Sequence, residues 1–116
     1  MTLVPLPDRD DGVRLLCAQG ELDVVVAPAL LPDVPALVEA ARGVVLDLSD
    51  VTFFDSSGVR LLDRIAAECQ RAAASFRVVA PPGSAPRRVL ELVGLDALVA
   101  DDLAAAVGAV QGDRPG

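Results

Sequence analysis

The stretch from Gly43 to Gly58 constrains the fold of this chain more than any other. Val44-Val45-Leu46-Asp47-Leu48 is an apolar, β-rich run bounded by Gly43 and by Ser49-Asp50. A strand that is apolar at nearly every position is covered on both faces, as parallel strands between two layers are. After Val51 to Phe54 the chain turns at Asp55-Ser56-Ser57-Gly58 and enters the clearest helical pattern in the sequence. Leu62, Ile65, Ala66, Cys69 and Ala72 fall on one side of it. Arg60, Arg64, Glu68 and Arg71 run along the other at spacings of three and four, which suits a solvated face.

The remaining elements alternate in the same way. Val13 to Gln19 reads as a strand ended by Gly20, and a short piece near Leu3 to Leu6 pairs with it across the Asp10-Asp11-Gly12 turn. Leu30, Val34, Leu37, Val38 and Ala41 form a helical stripe, but Pro28, Pro32 and Pro35 fall within it. Pro28 fits a first turn; Pro32 and Pro35 cannot both be interior without a kink. The pattern therefore predicts an irregular start, with the regular part beginning near a cap at Asp33. Phe76 to Ala80 is a second buried strand closed by Pro81-Pro82-Gly83. Ser84 caps a short helix through Val89, Leu90, Leu92 and Val93, with Gly94 as its stop. Leu98 to Ala100 reads as an edge strand, and Asp101 or Asp102 caps a last helix from Leu103 to Val110. The expected architecture is α/β: one domain over residues 1–111, with a mixed central sheet of about four to five strands, about four helices and a disordered tail over 112–116.

Composition narrows the function. Of 116 residues, 53% are apolar, enough to build a core without disulfides or metal. Three Phe and no Tyr or Trp leave no aromatic platform for stacking bases, and a net charge of −7 repels nucleic acid and anionic lipid. Every basic residue is Arg, which in a chain rich in Ala, Val, Gly and Pro reads as codon usage. With no His, the ordinary catalytic dyads and triads lack their base, and Cys17 and Cys69 sit in separate apolar patterns rather than in a zinc-ligand cluster. No apolar run approaches the roughly 20 residues that span a bilayer, and the start carries no signal pattern. These features predict a soluble, cytoplasmic protein that is not an enzyme, with no metal or cofactor and with its cysteines as small core residues.

In an α/β sheet the loop leaving the C-terminal end of a central strand is the usual functional place. Here that loop is Phe53-Phe54-Asp55-Ser56-Ser57-Gly58, two Phe to pin the strand end and then small polar residues at a helix N-terminus. Asp and Ser are favoured there because they satisfy orphan N–H groups. The same place, with its free N–H groups and helix dipole, also accommodates a phosphate on an exposed hydroxyl. Position alone leaves both readings open.

Two motifs go further. The segment from Val44 through Asp55-Ser56-Ser57-Gly58 to Leu62 resembles the signature of STAS-domain anti-sigma-factor antagonists, and Gly20-Glu21-Leu22-Asp23 is similar to that family's Gly-Glu-Leu-Asp motif. Pro86 to Leu95 is a weaker third match, to the family's late helix. The resemblance implies a switch. The unphosphorylated protein binds a serine kinase that doubles as an anti-sigma factor and so releases sigma factor. The kinase, which carries the ATP, phosphorylates the residue matching Ser56 and thereby sheds its bound partner. A PP2C-type phosphatase resets the site. It also implies that Glu21, Asp23, Asp55, Ser56, Ser57 and Gly58 form the partner-binding region, with Asp23 beside Ser56.

One departure stands out. Many relatives have a small polar residue after the position of Asp23, where this chain has Val24-Val25-Val26. That apolar lip is open to three readings: helix-start packing, a partner contact, or altered partner choice. It also leaves monomer and weak dimer both open. The Arg87-Arg88 pair reads as a solvated helix face, with docking as the alternative. A competing function is a non-switching STAS subunit of a transport or signalling assembly, against which the hydroxyl of Ser56 beside Asp55 argues.

Overall fold

The apolar run at residues 44–48 lies in the middle of a sheet, as its pattern requires. In a computed structural model, which describes residues 2–6 and 11–112, the strands are β1 (Thr2–Pro5), β2 (Val13–Leu22), β3 (Gly43–Phe54), β4 (Ser75–Val79) and β5 (Val99–Ala100). They lie in the order β1-β2-β3-β4-β5. β1 runs antiparallel to β2, and every other neighbouring pair is parallel. The helices are α1 (Val26–Leu30), α2 (Val34–Val38), α3 (Ser56–Arg71), α4 (Ala85–Leu92) and α5 (Leu103–Gly112), with 3-10 turns at Leu31–Asp33 and Asp96–Leu98. Taking α1, its 3-10 turn and α2 as one broken segment, the fold is a mixed five-stranded sheet with four helical segments. This is the α/β class expected.

Two apolar clusters sandwich the sheet. Val44, Leu46 and Leu48 of β3 belong to the larger one, with Leu16 and Leu22 of β2, Ala27 of α1, Val34 and Val38 of α2, Leu61, Leu62 and Ile65 of α3, and Leu90 of α4. Val45 belongs to the smaller one, with Val13, Leu15 and Val79 from the sheet and Ala106 and Val110 from α5. Alternate residues of one strand thus serve opposite layers, which is why the run has no polar side. Each fully buried Val, Leu or Ile contributes roughly 1.5–3 kcal/mol relative to exposure.

β3 is twelve residues long, where the sequence pattern ends its first apolar run at Ser49-Asp50. The reason is local. Between the pairs Cys17↔Asp47 and Gln19↔Asp50, β2 advances two residues while β3 advances three; between Gly20↔Val51 and Glu21↔Phe53, β2 advances one and β3 two. Each is a β-bulge, and two bulges break the period-2 alternation, so that Leu48, Val51 and Phe54, three residues apart, are the buried ones. Asp47 Oδ1 braces the first bulge by accepting from the Ser49 N–H at 2.9 Å and the Ser49 hydroxyl at 2.6 Å. Gly20 does not end β2. It sits inside the strand at φ 90°, between the two bulges, in backbone that a side chain rarely tolerates.

Other boundaries moved for equally specific reasons. The proline-rich segment is helical from Val26 to Val38 by passing through a 3-10 turn. Pro32 and Pro35 each occupy a first-turn position there, and Asp33 is itself helical with no capping bond from its side chain. Ser84 Oγ caps α4 by accepting from Arg87 N–H at 3.3 Å, and Asp102, not Asp101, caps α5 by accepting from Ala105 N–H at 2.8 Å. On α3, Ala66 is half-buried, while Ser57, Gly58 and Leu61 complete the buried face; Ala72 lies just past the helix end and is exposed. α5 includes Gly112, and the rest of the expected tail lies outside the described residues. Among the described residues, no helix is long and apolar enough to cross a membrane. Cys69 is buried, and its burial pushes the thiol up to about 12, whereas Cys17 is half-buried with its thiol also raised by desolvation.

Candidate functional site

Parallel strands β2 and β3 finish side by side. Glu21 is in register with Phe53 and Leu22 with Phe54, and neighbouring strands lie about 4.8 Å apart. Asp23 and Asp55 are therefore the next residues on adjacent strand ends, each where the chain leaves the sheet for a helix. The two acidic residues of the separate sequence motifs meet here because two bulges in β3 restore the register between strands of unequal length.

Each aspartate folds back onto its own backbone. Asp55, in extended backbone, is the N-cap of α3: its Oδ1 accepts from Ser57 N–H at 2.9 Å, and its carbonyl accepts from Val59 N–H at 3.1 Å. Asp23 Oδ1 accepts from Val26 N–H at 2.9 Å and Val25 N–H at 3.0 Å, and its carbonyl accepts from Ala27 N–H at 3.0 Å. The bonds to Asp23 favour its ionised form. The Asp23 carboxyl is held below its ordinary value, chiefly by the Val26 N–H.

The two serines separate sharply. Ser56, the first residue of α3, is exposed, whereas Ser57 is only 6% exposed. Gly58 is buried too, and a Cβ there would stand 2.6 Å from the ring of Phe54. The helix start is thus seated on Phe54, which turns Ser57 and Gly58 inward and leaves Ser56 outward. Only Phe54 pins the strand end; Phe53, on the other side of the strand, is 46% exposed. The spacing of Leu48, Val51 and Phe54 was the signal that could have told the two Phe apart.

The two segments that form the strand ends are acidic and apolar, and the first basic side chain after them is the exposed Arg60 of α3. Glu21 and Asp50 are exposed, and Val24 and Val25 are 69% and 73% exposed. Residues 20–26 and 50–58 contain no basic side chain. Arg87 is elsewhere and is not on a solvated face. Its Nη1 donates to the Ala80 carbonyl at 3.0 Å and to Asp101 Oδ1 at 2.7 Å, tying α4 to the loop before α5, and Asp101 raises its pKa further. Arg88 is exposed.

Comparison with known proteins agrees with this geometry. The family model described as STAS domain matches residues 5–109. An anti-sigma factor antagonist from Mycobacterium paratuberculosis, known from a crystal structure, is 36% identical; the match covers 95% of each chain at a TM-score of 0.77. The Bacillus cell fate determinant SpoIIAA in its phosphorylated form shares the fold at 20% identity and a TM-score of 0.71, over 94% of this chain and 99% of that one. A sulfate transporter family protein from Wolinella succinogenes shares it at 18% identity and a TM-score of 0.70, over 86% and 85%. A comparison with curated protein sequences found no match. The chain belongs to the STAS domain family.

Proposed function

We propose that this protein is an anti-sigma factor antagonist whose partner is a serine-kinase anti-sigma factor. Unphosphorylated, it binds that kinase and so frees sigma factor; phosphorylation of Ser56 ends the binding, and a PP2C-type phosphatase restores it. The observation that carries the reading is the exposure of Ser56 at the start of α3, just past the end of the central strand, beside a neighbour, Ser57, that the same helix start buries. The 36% identical antagonist supports the same role. The fold by itself does not decide, since a transporter family protein shares it. A purely structural subunit, however, has no use for an exposed serine directly after Asp55.

The electrostatics favour release. A phosphoserine adds nearly two negative charges beside Asp23 and Asp55, whose carboxylates are already committed to backbone N–H groups. In a desolvated contact, that repulsion weakens binding by roughly hundreds-fold. The kinase supplies ATP and catalysis; this chain supplies the accepting hydroxyl and the docking surface, and it works in the cytoplasm without a metal or cofactor. Titration of Ser56→Ala and Ser56→Glu with the serine-kinase anti-sigma factors of the same genome tests this. Tight binding of Ser56→Ala with loss for Ser56→Glu is expected; equal binding of both contradicts charge-driven release.

A further inference from the structure

The geometry points to Val24 and Val25 as the apolar anchors of the partner interface: they dock into an apolar patch, ringed by basic side chains, on the serine-kinase anti-sigma factor. This rests on the proposed function and adds which residues set the affinity and what chemistry the partner must present.

Three observations converge. First, both side chains are largely exposed at a fixed position, because Asp23 Oδ1 holds the N–H groups of Val25 and Val26 and its carbonyl holds that of Ala27. β-branched side chains on a braced turn lose little freedom when covered. Second, the turn leaves the strand end next to the one that leads into Ser56, since Leu22 is in register with Phe54. A partner whose active site reaches Ser56 therefore reaches this turn as well. Third, the two strand ends themselves carry charge of one sign, the exposed Arg60 following one turn into α3. Glu21, Asp23, Asp50 and Asp55 lie on these two segments without a basic residue among them. An apolar centre inside an acidic rim is complementary to an apolar centre inside a basic rim. Asp23 is then a positioning residue: its carboxylate shapes the turn that presents the two valines.

The test uses Val24→Thr/Val25→Thr, which keeps the side-chain shape and branching but places a hydroxyl where desolvation penalises it. The full chain is titrated calorimetrically against each purified serine-kinase anti-sigma factor of the same genome, loaded with ADP, and Leu103→Thr on α5 serves as a control for general apolar loss. For the kinase that phosphorylates Ser56, the double variant is expected to bind at least tenfold more weakly. Leu103→Thr should leave affinity unchanged, and all variants should retain the melting temperature of the parent. At saturating kinase, Ser56 phosphorylation should proceed at the parent rate, so that the defect lies in KM and not in kcat. Undiminished affinity of the double variant for that kinase overturns the anchor assignment and leaves the switch standing, as does an equal loss in Leu103→Thr. If no kinase binds or phosphorylates the parent, both the switch and the anchors fall.

Discussion

The ends of β2 and β3 begin alike and finish differently. Both carry an aspartate that folds back onto the next N–H groups, and both lead into helix. After Asp55 comes a sixteen-residue helix seated on Phe54 through Gly58. After Asp23 comes a five-residue helix, and the residues between, Val24 and Val25, bury little. One turn is fixed by packing and holds a hydroxyl outward; the other is fixed by hydrogen bonds and holds apolar side chains outward. A shared backbone device can thus support two kinds of surface, according to whether the next side chain has a core to enter.

The largest test of that contrast is at the two neighbouring phenylalanines. Phe54→Ala should cost about 3–5 kcal/mol in urea denaturation, while Phe53→Ala, half-exposed, should cost less than about 1 kcal/mol. Equal losses would remove the asymmetry on which the outward placement of Ser56 depends. Next in size, Gly58→Ala should destabilise by about 1–3 kcal/mol, because the new methyl meets the Phe54 ring and the helix start must shift. Asp55→Ala removes the cap of α3 and should cost about 1 kcal/mol by the same measurement.

The smallest effect belongs to the other turn and depends on pH. The Asp23 carboxyl has an ordinary value of 3.8 and is held lower in the fold. Its contribution is complete above 3.8 and is lost as pH falls through the lower folded value. Asp23→Asn, which keeps an accepting oxygen, should flatten the acid branch of a melting-temperature profile and leave the neutral plateau nearly unchanged. A variant whose acid branch matches the parent would show that the Val25 and Val26 hydrogen bonds do not favour the carboxylate.

Much of this was legible in the residues. Val44 to Leu48 predicted a strand covered on both faces, and Ser84 and Gly94 marked the limits of α4. The unread parts share a cause: they depend on register between distant segments. Nothing in Gly20 alone says that β3 bulges twice against β2, yet those bulges set which Phe is buried and bring Asp23 level with Asp55. Arg87 looked like surface charge because its acceptors, the Ala80 carbonyl and Asp101, come together only when β4 and β5 pair. At the site, the sequence offered Ser56 and Ser57 as chemical equals. Their separation came from the resemblance and, independently, from the packing of Gly58 on Phe54.

That separation is the central claim, and one measurement reaches it directly. The parent protein, Ser56→Ala and Ser57→Ala are each incubated with ATP and the serine-kinase anti-sigma factor that binds the parent, and phosphate is mapped by mass spectrometry. One phosphate on Ser56 in the parent and in Ser57→Ala, and none in Ser56→Ala, is the predicted result. Phosphate on Ser57, or undiminished incorporation in Ser56→Ala, would contradict the account.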